Sequence, residues 1–117
     1  MSEDITIYHN PDCSTSRKTL ALLREKGHEP KVVEYLKAGW SADELRRIIS
    51  LSGGTARDFL RQTGGRAEAL GLTAPDIGEE TLIAAMVAEP VLVNRPIVVT
   101  PKGAALCRPV EKALELL

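Results

Sequence analysis

The chain has 117 residues, a formal net charge of −1 and 44% hydrophobic residues. That is enough for one folded domain with its own core, it is too apolar for a disordered chain, and the near-neutral balance gives no ground for a nucleic-acid or acidic-membrane partner. The two cysteines, Cys13 and Cys107, make no disulfide framework, and with two histidines at no ligand spacing they predict no metal site.

Met1-Ser2-Glu3-Asp4 has neither a basic region nor an apolar stretch behind it, so no signal peptide is expected. No apolar run approaches membrane-crossing length. The expected setting is a reducing cytoplasm, where Cys13 stays a thiol. Ile5 to Tyr8 is a β-favouring run that stops at Asn10-Pro11. A helix is predicted from about Ser14 to Lys26, with Leu20 and Leu23 on one side, ended by Gly27. Lys31 to Leu36 reads as a second strand, and a helix of this length between two strands predicts a parallel, right-handed βαβ unit. Ser41-Ala42-Asp43-Glu44 has the capping-box form, followed by Leu45, Ile48 and Ile49 at helical spacing until Gly53-Gly54. Thr55 to Asp58 looks like a second cap leading into Phe59-Leu60-Arg61. Arg66 to Leu70 is predicted as one turn, and Glu79 to Ala88 as a helix closed by Pro90. Ile97–Thr100 and Ala104–Cys107 flank the turn signal Pro101-Lys102-Gly103 and predict a hairpin. Val110 to Leu117 is a closing helix, with Pro109 favourable at its start. The order is β-α-β, a helical block over roughly 41–90, then β-β-α. It predicts a single α/β domain spanning 1–117, with a thioredoxin-like fold interrupted by a helical insertion.

Cys13 falls at the strand-to-helix turn, where free backbone N–H groups and the helix dipole favour negative charge. Both favour the thiolate, the reactive form, and the same N–H groups suit an oxyanion beside the sulfur. Arg17 and Lys18 add positive charge; Asp12 opposes it, unless its side chain caps the helix. A free cysteine is otherwise a small buried hydrophobe, and Cys107, at a strand end, is read that way. Arg61, Arg95 and Arg108 stand out by context: Arg61 closes a helix in the middle block, and the other two precede prolines at strand ends. Arginine's planar fork binds tetrahedral oxyanions with paired hydrogen bonds. Thioredoxin-like folds place a cis-proline facing the active-site cysteine just before this strand. If Arg95-Pro96 is that bond, Arg95 lies beside Cys13.

The runs His9-Asn10-Pro11-Asp12-Cys13-Ser14-Thr15-Ser16-Arg17, Asn94-Arg95-Pro96-Ile97-Val98-Val99 and Leu106-Cys107-Arg108-Pro109, with Tyr35-Leu36 and Leu60-Arg61 between them, resemble the motifs of the glutaredoxin-linked arsenate reductases, the ArsC family. The resemblance covers essentially the whole chain, and the three motifs in order are specific together. Well-known members carry a C-terminal tail, whereas this chain stops at Leu117. The resemblance implies that the Cys13 thiolate attacks arsenate to form an arsenic–sulfur adduct. Glutathione then attacks, glutaredoxin resolves the mixed disulfide, and arsenite leaves. It also implies that Arg61, Arg95 and Arg108 bind the oxyanion and that His9 helps to keep the cysteine ionised. His9 has the alternative of a solvated loop histidine, and Ser16 and Arg17 that of starting the helix and lining the loop. With Ser at position 16 the motif is Cys-x-x-Ser, so a partner thiol is needed. Glutathione is expected as co-substrate with no bound cofactor, and the protein as a monomer. Two further readings stay open: a glutathione-linked thiol oxidoreductase on another substrate, and a non-enzymatic regulator like the Spx proteins, which bind RNA polymerase and typically carry the Cys-x-x-Cys switch that Ser16 removes.

Overall fold

Asn10-Pro11 ends the first apolar run after four residues, and this stop fixes the length of the strands around it. In the computed structural model, which describes residues 4–117, β1 spans Thr6–His9 and α1 spans Ser14–Glu25. The expectation about Met1 to Glu3 lies outside the described residues. Gly27 takes a left-handed backbone (φ 87°) just past α1, and the His28 N–H returns to the Leu23 carbonyl at 3.0 Å, closing the helix end. β2 (Lys31–Glu34) then runs parallel to β1, with Ile7 opposite Val32 and His9 opposite Glu34.

β2 is shorter than the sequence suggests. Tyr35–Ala38 forms a helical turn, α2, instead of extending the strand to Leu36. The reason is pairing: β1 ends at His9, so beyond Glu34 an extended backbone has no partner there for its N–H and C=O groups. β3 (Ile97–Thr100) pairs antiparallel with β1, and β4 (Gly103–Leu106) with β3, giving the sheet order β2-β1-β3-β4. This is the thioredoxin-like arrangement, with the hairpin where it is predicted. The closing segment Val110–Leu116 is a 3₁₀ helix and not an α-helix; the Lys112 N–H reaches Pro109 C=O at i−3. It presses Ala113 into a core of Ile5, Ile7, Leu23, Val98 and Cys107, flanked by Leu20, Leu22, Leu116 and Leu117. Each large aliphatic side chain so buried contributes about 1.5–3 kcal/mol.

These elements, through Ala38 and again from Arg95 to Leu117, form one compact unit; Gly39–Asn94 forms another. In the second unit α3 (Ala42–Ser52) starts at Ser41, whose hydroxyl accepts the Glu44 N–H at 3.1 Å, and ends at Gly53 in the left-handed region. Thr55 and Asp58 make the second capping box, on a 3₁₀ turn over Ala56–Phe59. α4 (Arg66–Ala69) is a single turn, and α5 (Glu79–Ala88) packs against α3 and against the 3₁₀ turns at Ala56–Phe59 and Pro90–Leu92. Leu45, Ile48, Leu82, Ile83 and Met86 are buried in this unit. A bridge pairs Leu60 with Val93, tied by Arg61 N–H to Leu92 C=O and Asn94 N–H to Phe59 C=O, both at 2.7 Å. No helix among the described residues is long and apolar enough to cross a membrane.

Candidate active site

The loop after β1 is built by Asn10. Its carbonyl accepts the Cys13 N–H at 3.0 Å and its side-chain oxygen accepts the Asp12 N–H at 3.0 Å, so the chain reverses direction within four residues. Cys13 is left at the N-cap of α1 in an extended conformation, with its carbonyl accepting the Arg17 N–H. The N-cap position is therefore the cysteine itself. Asp12 does not cap the helix; it is exposed and its N–H is turned to Asn10. An Asn that bonds the backbone two residues on is a recognisable turn signal, and Asn10 is the residue here whose local chemistry sets the loop.

Beneath the loop, Ser16 is fully buried. Its hydroxyl accepts the Asn10 N–H at 3.0 Å and shares a hydrogen bond of 2.6 Å with His9 Nδ1. His9 is 6% exposed, which removes the solvated-loop alternative. Burial lowers its pKa below the ordinary histidine value, against the attraction of Glu34 and with help from Arg17 and Arg24, so the ring is favoured in its neutral form. Ser16 thus does more than start the helix: its side chain holds the loop while its backbone N–H points to the Cys13 sulfur. Arg17 stays outside, donating to the Pro11 carbonyl at 2.8 Å.

Burial opposes ionisation of Cys13, yet the thiol is lowered to about 7 because the Ser16 N–H, the Arg95 side chain and charge, and the Arg108 side chain outweigh it. Arg108 directs one nitrogen at the sulfur from 3.9 Å and anchors it on the Arg95 carbonyl at 3.0 Å. Arg95-Pro96 is a cis bond, as the topology leads one to expect, and Arg108-Pro109 is a second. Two guanidinium groups and a helix-start N–H therefore meet at one sulfur. Arg61 stands in the other unit, where its guanidinium lies over Gly64 and its buried Nε has no hydrogen-bond partner among the described residues. Cys107 is fully buried, and burial pushes its thiol up to about 12, the behaviour of a packing residue. Among the described residues no group of three or more His, Cys, Asp or Glu side chains is placed to hold a metal ion.

The family model described as the ArsC family matches residues 8–116, which take in the whole loop and both arginine–proline pairs. The chain belongs to the ArsC family. Among its ArsC relatives, the arsenate reductase of Rhizobium meliloti strain 1021 is 50% identical over 113 residues, covering 97% of this chain and 81% of that protein. The arsenate reductase of Escherichia coli K12 is 46% identical over 114 residues with the same coverage. In three dimensions this ArsC chain is similar to the arsenate reductase from Vibrio cholerae, with a TM-score of 0.94 and 39% identity over the full length of both chains.

Proposed function

We propose that this ArsC-family chain is an arsenate reductase that works through a Cys13–arsenic adduct, with glutathione and glutaredoxin as reductants. The observation that carries this reading is the Cys13 sulfur, lowered to about 7 and faced by Arg95 and Arg108. Family membership and relatives named arsenate reductase at 46–50% identity support the substrate. Near neutral pH a large share of Cys13 is nucleophilic, and the arginines that favour the thiolate also suit the oxygens of arsenate. Arg61, with its unsatisfied buried Nε, is the third oxyanion ligand in this reading. His9 and Ser16 keep the loop in register, and Arg17 braces it from outside.

In the first step an As–S bond forms to Cys13 as an As–O bond breaks, and that oxygen leaves as water after taking up a proton. A glutathione thiolate then attacks the Cys13 sulfur. The S–S bond forms, the As–S bond breaks and its electron pair stays on arsenic, which leaves as arsenite. Arsenic is reduced by two electrons and the two sulfurs are oxidised to a mixed disulfide. Glutaredoxin exchanges with that disulfide and frees Cys13. The second thiol comes from outside because position 16 is Ser and Cys107 is buried and pushed up to about 12. The same reading has the protein act as a monomer in a reducing cytoplasm, with no bound cofactor. The test is arsenite production with arsenate, glutathione, glutaredoxin, glutathione reductase and NADPH. The parent and Cys107→Ser should turn over, and Cys13→Ser should not. No arsenite from the parent, or equal losses in the two serine variants, would defeat the proposal.

A further inference from the structure

Next to the Cys13 loop, within the same unit, a cleft of about 460 Å3 is lined by Thr15, Lys18, Arg108, Pro109, Val110 and Glu111. Its volume is within the ~300–1,000 Å3 usual for small-molecule sites. Arg108 ties it to the chemistry, since the side chain that lines the cleft also points at the Cys13 sulfur. Lys18 lies one helical turn beyond Thr15 on α1, and Glu111 is on the closing 3₁₀ helix. The two carry opposite charges into one cleft, and neither has a salt-bridge partner among the described residues. Pro109 and Val110 add apolar lining to the same cleft. Unpaired charges of opposite sign on one partly apolar cleft complement a zwitterion with a short aliphatic body.

We propose that this cleft seats the thiol co-substrate, a zwitterionic peptide thiol of the glutathione class. Lys18 takes a carboxylate, Glu111 takes the ammonium group, and the sulfur is delivered past Arg108 to Cys13. The proposal rests on the reading that glutathione is the reductant, and it assigns that reductant a place. In that reading arsenate is taken by Arg61, Arg95 and Arg108, which leaves Lys18 and Glu111 for the second substrate.

A test that leaves arsenate out separates the two claims. Reduced protein is mixed with oxidised glutathione, and formation of the Cys13–glutathione disulfide is followed by intact mass. In this step the Cys13 thiolate forms an S–S bond with one glutathione, and the other leaves as thiolate. The neutral bis(2-hydroxyethyl) disulfide is run in parallel and reports the reactivity of the sulfur alone. Lys18→Glu should slow the reaction with oxidised glutathione about three- to tenfold more than it slows the neutral disulfide, which carries any effect of the reversed charge on the Cys13 thiolate. Glu111→Gln should slow oxidised glutathione about twofold, with the neutral disulfide unaffected. Equal effects on both disulfides in Lys18→Glu, or none on either, would overturn the proposal. A parent that reacts selectively with glutathione disulfide through Lys18 yet never reduces arsenate would keep this docking site and defeat the arsenate reading alone.

Discussion

Cys13 ionises more readily than an ordinary thiol even though its burial acts the other way, so its environment is defined by three donors: Ser16, Arg95 and Arg108. The consequence for stability has a definite sign. An acid whose folded value lies below its unfolded one contributes stability above the ordinary thiol range of about 8.5 and loses it as pH falls through about 7. The difference in unfolding free energy between the parent and Cys13→Ala should therefore widen between about pH 6 and pH 9 in denaturant titrations. A difference that stayed constant or narrowed would contradict the lowered value. The arginines should matter to rate far more than to fold. A charge-assisted hydrogen bond is worth about 1.5–3 kcal/mol, or about one to two powers of ten in rate if made in the transition state. Arg95→Ala and Arg108→Ala should each lose about that much arsenate turnover with little change in melting temperature, and the lysine variants should lose less because the charge remains while the fork is gone. Alanine variants that turn over normally would remove both residues from the site.

Among elements, those with local signals are the ones legible in the sequence. Gly27, the caps at Ser41 and Thr55, and the turn at Pro101-Lys102-Gly103 each act on their immediate neighbours, and each appears where the residues predict it. Ser41→Ala should cost about 1 kcal/mol in unfolding free energy, because the Glu44 N–H loses its acceptor, while Cys13 alkylation proceeds at the parental rate. An unchanged stability would mean that solvent replaces the cap without loss. The features that escaped are those set by a distant partner. Leu36 belongs to a β-favouring run, yet the strand stops at Glu34 because β1 stops at His9. Asp12 has the chemistry of an N-cap, but Asn10 captures its N–H and gives the cap position to Cys13. Val110 to Leu117 reads as a closing helix, and its 3₁₀ bonding over Val110–Leu116, with Ala113 in the core, has no local signal.

At the scale of the whole molecule, the site is made by bringing together residues 95 positions apart, Cys13 and Arg108, through a sheet in which the last hairpin pairs with the first strand. Topology and the three motifs made that meeting readable from the sequence, whereas the presence of Lys18 and Glu111 on one cleft has no local signature. The same convergence should make the folded chain an anion receptor. Sulfate or phosphate should raise its melting temperature in a concentration-dependent way and compete with arsenate, and the rise should vanish in Arg95→Ala. A parent protein whose melting temperature ignores both anions would deny a preformed site. The most direct test of the central claim, an activated thiolate within an oxyanion site, is the rate of Cys13 alkylation by iodoacetamide as a function of pH, with and without arsenate and without glutathione. The account predicts a half-maximal rate near pH 7 and suppression by arsenate at every pH. A midpoint at the free-thiol value of about 8.5, unmoved by arsenate, would contradict it.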